Sequence, residues 1–103
     1  MKEIIRELSF NKNYLISNYG YIISKFTNKK LIGDINSCGY KRVLLNDDKK
    51  YFIHRLVMLE FMPNEDNNLI INHIDGNKLN NRLDNLEWCT RSENDKHAFR
   101  LNL

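Results

Sequence analysis

The apolar residues of this chain never run long. They fall into YLIS at 14–17, YIIS at 21–24, YKRVLLN at 40–46, KKYFIH at 49–54, HRLVMLEFM at 54–62, LIINH at 69–73 and LEWC at 86–89. Each stretch is closed by a turn-forming or charged segment. Runs of this length suit short β-strands and one compact helix. None approaches the ~20 apolar residues that a membrane-spanning helix needs, so no membrane partner is expected. At 103 residues the chain is one domain, or two small units sharing a core. Charges interrupt the apolar residues of MKEIIRELSF, so the N-terminus does not read as a signal peptide and a cytoplasmic, intracellular setting is expected.

The first two runs flank NYG, a turn signal, and read as paired strands. Residues 40–46 and 49–54 are joined by Asp47-Asp48 and read as a second hairpin. Tyr40, Arg42 and Leu44 share one side of it, and Lys41, Val43 and Leu45 the other. Neither side is purely apolar, so the pattern leaves the buried face open. HRLVMLEFM carries apolar residues at helical spacing and ends before Pro63, which disfavours helix in the residue preceding it. Two further strand-like runs, 69–73 and 86–89, lead to a helix start at Thr90-Arg91-Ser92-Glu93, the pattern of a capping box.

Charge is distributed unevenly. Residues 1–51 carry a balance of +5 and residues 52–103 a balance of −2. A basic half beside a mildly acidic one suggests a polyanion-binding part joined to something else. Cys38 and Cys89 show no C-x-x-C pairing, and no pair of close Cys/His ligands occurs twice, so neither a disulfide framework nor a four-ligand zinc site is expected.

The chemistry-bearing stretch is INHIDGNKLNNRLDNLEWCTRSEN, residues 71–94, in which six of 24 positions are Asn. Buried amides without partners are costly, so this density needs a use. His73 ends a strand-like run and could take a proton from water near neutral pH, or could be a satisfied structural histidine. Asn85 opens the next run and is placed to bond back to the backbone near His73, pinning the intervening loop. Asn94 and His97 are three apart on the last helix and share a face. Amide oxygens and imidazole nitrogens can ligate a divalent ion, and phosphodiester cleavage needs a base for water and a cation for the leaving oxygen. Asn77, Asn80 and Asn81 lie in the loop, where asparagine suits turn geometry and backbone capping.

His73, Asn85 and Asn94, set in NHIDGNKLNN and NLEWCTRSEN, resemble the HNH endonuclease family in its phage and intron homing-endonuclease branch. Upstream, NYLISNYGYIISK resembles the DNA-binding motif that accompanies that nuclease unit, and IHRLVMLEFMPN resembles the stretch linking the two. The resemblance runs from about residue 13 to 98. It implies an α+β fold: a small basic antiparallel sheet, a buried linking helix, then a ββα-metal unit. Residues 1–51 would be the DNA-binding motif and 52–103 the nuclease unit, in one compact domain. It implies His73 as general base, Asn85 orienting it and Asn94 holding one divalent ion, Mg²⁺ or Mn²⁺. Asn72 occupies the place of a frequent aspartate ligand, and an amide binds a hard cation more weakly than a carboxylate does. A regular strand would also send Asn72 and His73 to opposite faces. His97 is a further candidate ligand. His54 would stand behind the base, touch a phosphate, or pack at the helix start.

Lys25, Lys29, Lys30, Lys41, Arg42, Lys49, Lys50 and Arg55 are the candidate DNA contacts, Arg55 from its place in the linking stretch. Tyr19 and Tyr21 beside Asn18 could approach a groove, with packing within the small sheet the favoured reading. A surface of ~100 residues is small for reading a long site, so the expected activity is nicking or weakly specific cleavage unless a homodimer or a specificity-supplying protein adds contacts. The competing reading is an inert DNA- or protein-binding module on a nuclease scaffold. Asn72 favours that reading, and the intact His73–Asn85–Asn94 spacing opposes it.

Overall fold

The computed structural model describes residues 1–64, 66 and 69–94. Among the described residues three antiparallel sheets surround the helix 53–61, an α+β architecture. The first sheet has the order β1 (Ile5–Leu8), β2 (Asn11–Ser17), β3 (Tyr21–Ser24) and β4 (Lys29–Lys30). The second is β5 (Asp34–Ile35), β6 (Lys41–Leu44) and β7 (Lys50–Phe52). The third pairs β8 (Ile70–His73) with β9 (Leu86–Cys89), while α1 (Ile53–Phe61) follows β7 directly.

Both sequence hairpins form. In the first, Tyr14 faces Ser24 and Ser17 faces Tyr21, and the tight turn closes with Gly20 N–H on Ser17 O at 2.9 Å. Gly20 sits at φ +95°, a conformation that glycine adopts without steric cost. In the second, Asp48 takes the left-handed conformation at φ 62°, which aspartate tolerates better than most residues. Val43 and Leu45 point inward while Leu44 is exposed, which settles the face that the pattern left open.

β7 stops at Phe52, and α1 begins at Ile53, so the chain turns helical within the stretch expected to be strand. Ile53, Leu56, Val57 and Met58 are each at most 3% exposed, whereas Arg55 and Leu59 face solvent. Burial of such side chains stabilises by about 1.5–3 kcal/mol each and fixes the helix against the sheets. The core joins Leu8, Ile16 and Ile22 of the first sheet and Val43 of the second to α1 and Leu86. At its edge the Glu60 carboxylate accepts from the Ser9 amide and hydroxyl, each at 2.8 Å, binding the first sheet to the helix. Cys38 and Cys89 are free thiols. Among the described residues no helix is long and apolar enough to cross a membrane.

Candidate active site

β8 and β9 pair in simple register, Ile70 with Cys89 through His73 with Leu86. The 12 residues between them form the loop that asparagine was expected to populate, and asparagine holds it together. The Asn85 side chain accepts from the Asp75 amide at 3.0 Å, and its Nδ2 donates to Asp75 Oδ1 at 2.9 Å and to Asn80 O at 2.8 Å. Its backbone carbonyl takes the Ile74 amide at 2.8 Å. Asp75 in turn accepts from the Asn77 amide and Asn80 Nδ2. Those bonds, the one from Asn80 foremost, hold its carboxyl below the usual aspartate range. Asn77 Oδ1 accepts the Leu79 amide. Three asparagines, with Asp75, thus serve one physical purpose, which is to satisfy the backbone of a tight loop.

A fourth serves another. Asn81, 3% exposed, lies with Oδ1 2.8 Å from Nε2 of His73. An amide oxygen only accepts, so the contact is a hydrogen bond in the tautomer protonated at Nε2, which leaves the Nδ1 lone pair free. Sequence reasoning had placed Asn81 among the loop caps. Its distinguishing signal was weak: it adjoins Asn80 in a segment already rich in the same residue.

Around His73 the rings of Tyr40 and His54 lie with centroids 6.0 and 5.3 Å away. Phe52 packs on His54 at 5.4 Å. Burial, reinforced by neighbouring His73 and Arg55, drives the His54 imidazole down to about 3, so it is neutral beside His73. Its Nδ1 is buried without a hydrogen-bond partner among the described residues. A cavity of about 690 Å³ opens beside Tyr40 and His54, lined further by Arg55, Trp88, Arg91 and Asn94 but not by His73.

Asn72 and His73 leave the regular strand on opposite sides. Asn72 is 6% exposed and donates from Nδ2 to Glu87 Oε1 at 2.9 Å across the ladder, which leaves Oδ1 as the amide's remaining polar atom. Asn94 stands in the helical turn 91–94. The start of that turn is capped as the sequence suggested: the Glu93 amide donates to Thr90 Oγ1 at 3.2 Å, while the Glu93 carboxylate takes the Thr90 hydroxyl. His97 lies outside the described residues.

Residues 51–96 match the model of a family described as HNH endonuclease. The chain is 44% identical over 96 residues to the uncharacterized HNH endonuclease L245 of Acanthamoeba polyphaga mimivirus, covering 90% of this chain and 29% of that protein. It is 35% identical over 88 residues to DNA endonuclease I-HmuI of Bacillus phage SP01, covering 82% of this chain and 51% of that one. A solved structure of the HNH homing endonuclease I-HmuI, described for DNA binding and cleavage, superposes with a TM-score of 0.82 at 30% identity. The match covers 96% of this chain and 59% of that one. This is an HNH endonuclease-family unit of the phage homing-endonuclease branch. It spans between about a quarter and a half of the length of the curated relatives it matches.

The candidate DNA-contacting side chains of this HNH unit differ in how free they are. Lys25 is paired with Glu7. Arg42 and Lys50 share Asp34, at 3.0 and 2.7 Å. Lys30 lies 3.9 Å over the Tyr21 ring and Arg55 5.1 Å over Phe52. Lys49 adds its charge to the stabilisation of the Asp47 carboxylate, and Lys29 and Lys41 stand on β4 and β6. Two cations of the β8–β9 loop were not among the candidates. Lys78 donates to Cys38 O at 2.9 Å and covers Tyr40, and Arg82 lies 4.4 Å over Tyr19.

Proposed function

We propose that this HNH unit hydrolyses DNA phosphodiester bonds with His73 as general base, in the presence of one divalent ion. The observation that carries the reading is the 2.8 Å contact of His73 Nε2 with buried Asn81, which supports Nδ1 as the proton acceptor. Asn85 holds the loop on which Asn81 and Asp75 sit, so the base is oriented before substrate arrives. In the reaction a water O–H bond breaks as its proton passes to Nδ1. The oxygen forms a bond to phosphorus, and the bond from phosphorus to the leaving oxygen breaks.

The donors suit a hard cation. Asn94 at the cavity offers an oxygen ligand of the kind that takes Mg²⁺ or Mn²⁺, while Asn72 Oδ1, beside the Glu87 carboxylate on the other side of β8, would join it only if the strand turned there. Such an ion supplies charge stabilisation to the leaving oxygen when bound. Arg55 and Arg91 at the cavity would pair with the phosphate flanks, and neutral His54 would border them without competing for the proton. His97 remains a proposed further ligand. The activity is proposed as nicking or weakly specific cleavage by this chain alone, with dimerisation or a protein partner as routes to greater specificity.

Supercoiled-plasmid cleavage tests the reading, with Mg²⁺, Mn²⁺ or EDTA, comparing the native chain with His73→Ala at matched folding. Metal-dependent nicking that falls by at least about 10²-fold in the variant is the expected result. If the native chain leaves plasmid intact with every metal while still shifting DNA, the protein is a binding module. Asn72 is the feature that favours that second reading.

A further inference from the structure

The turn between β2 and β3, far from His73 in sequence, packs on the residue that holds its ring. A Cβ placed on Gly20 would come within 2.6 Å of both C and O of Asn81 and 3.0 Å of the Arg82 amide nitrogen. Only hydrogen fits that space. One residue further along, the Leu83 amide donates to Asn18 O at 2.8 Å. Tyr19, between Asn18 and Gly20, carries the Arg82 guanidinium 4.4 Å over its ring. Three successive turn residues thus meet three successive residues of the loop, 81–83.

Asn81 needs such support from outside its own side chain. Its Oδ1 is on His73, but its Nδ2 is buried with no hydrogen-bond partner among the described residues. No second bond from the amide fixes its angle to the ring. The amide is aimed by its backbone, and that backbone lies between two supports. One is Asn85, through Asn80 O at 2.8 Å, and the other is Gly20.

We propose that Gly20 and Tyr19 are positioning residues for His73, acting through Asn81. The inference rests on the reading of His73 as the base. A displacement of the Asn81 backbone moves Oδ1 from Nε2, frees the ring to exchange its tautomers, and takes the proton-accepting Nδ1 out of place part of the time. The same turn belongs to the basic sheet proposed to bind DNA, so the seam joins the two parts of the molecule mechanically.

The test uses the full chain labelled with ¹⁵N-histidine, read by imidazole nitrogen correlations at a pH where the rings are neutral, together with single-turnover plasmid cleavage and DNA affinity. Asn81→Ala serves as reference. The native His73 is expected as a single tautomer protonated at Nε2. Gly20→Ala is expected to move its nitrogens toward the averaged values seen in Asn81→Ala. It should slow bound-state cleavage about tenfold or more, since small misplacements at a reacting centre cost rate steeply. DNA affinity should change less than about threefold, because no phosphate contact is removed. A folded Gly20→Ala protein with native tautomer and native rate overturns the proposal. So does one that loses affinity alone, which would make the turn a DNA contact. If Gly20→Ala does not fold, Tyr19→Leu is read by the same spectrum, expected to shift in the same direction, and an unchanged spectrum overturns the proposal. The spectrum needs no nuclease activity. A native chain that fails to cleave DNA while Gly20→Ala still shifts the tautomer would refute the nuclease reading and leave the seam standing.

Discussion

At the scale of single residues, His54 shows how burial sets chemistry. It is 7% exposed, and its pKa falls from 6.5 to about 3 because its charged form loses water and sits beside His73 and Arg55. In the unfolded chain His54 takes up a proton near its ordinary value of 6.5, while the folded chain stays neutral down to about 3. Between those limits the unfolded state binds more protons, so stability is full above 6.5 and falls as the pH drops. The lowered carboxyls of Glu3, Glu7, Asp34, Asp47 and Asp75 act below their ordinary values of 4.5 or 3.8, leaving the range above to histidine. His54→Gln should flatten the acid limb of stability by up to about 1.4 kcal/mol per pH unit between 6.5 and 4.5. Denaturant unfolding of both proteins across a pH series measures this, and identical slopes would count against a neutral buried His54. Nothing in the sequence gave that number. The helix pattern placed His54 near the start of α1, but the rings of Tyr40, Phe52 and His73 reach it from three other segments.

At the scale of elements, the hairpins were legible because their signals are local. Gly20 and Asp48 meet the backbone demands of their own turns, and alternation carries the strands between them. β1 was not legible, since of Ile5–Leu8 only Leu8 is buried and charge interrupts the rest. β4 and β5 are two exposed residues each and present no pattern to read. The β8–β9 hairpin was legible at its ends, while its loop required the bonding network. Asn85 was expected to pin the loop, and its side chain makes three bonds to Asp75 and Asn80. Asn85→Ala would leave the Asp75 amide and Asn80 O without those partners, in a residue that is 8% exposed. A loss of about 2–4 kcal/mol is expected, as for broken buried networks generally. Equilibrium denaturation checks it, and a loss below about 0.5 kcal/mol, the range of ordinary surface substitutions, would show that the loop is held by other contacts.

For the whole molecule, the relevant quantity is how much positive charge is free to meet a polyanion. The sequence displays a basic first half, but it does not show that Asp34 on β5 faces Arg42 and Lys50 on β6 and β7. Those pairings arise only when three strands come into register, so a charge tally overstates the free cations. The two partners also hold the Asp34 carboxyl below its ordinary range, Lys50 first and Arg42 second, so it is charged at neutral pH. Phosphate must therefore displace a carboxylate before it can use either cation. Asp34→Asn releases both without touching the core, and DNA affinity should rise and depend more steeply on salt. Each additional phosphate neutralised adds about −0.9 to the slope of log K against log salt, so release of both cations predicts a change of about −1 to −2. Titrations of the native chain and Asp34→Asn over a range of salt concentrations give the two slopes directly. Equal slopes would place this face of the second sheet away from DNA, and would transfer the electrostatic footprint to Lys29, Lys41 and Lys49 and to the cations around His73.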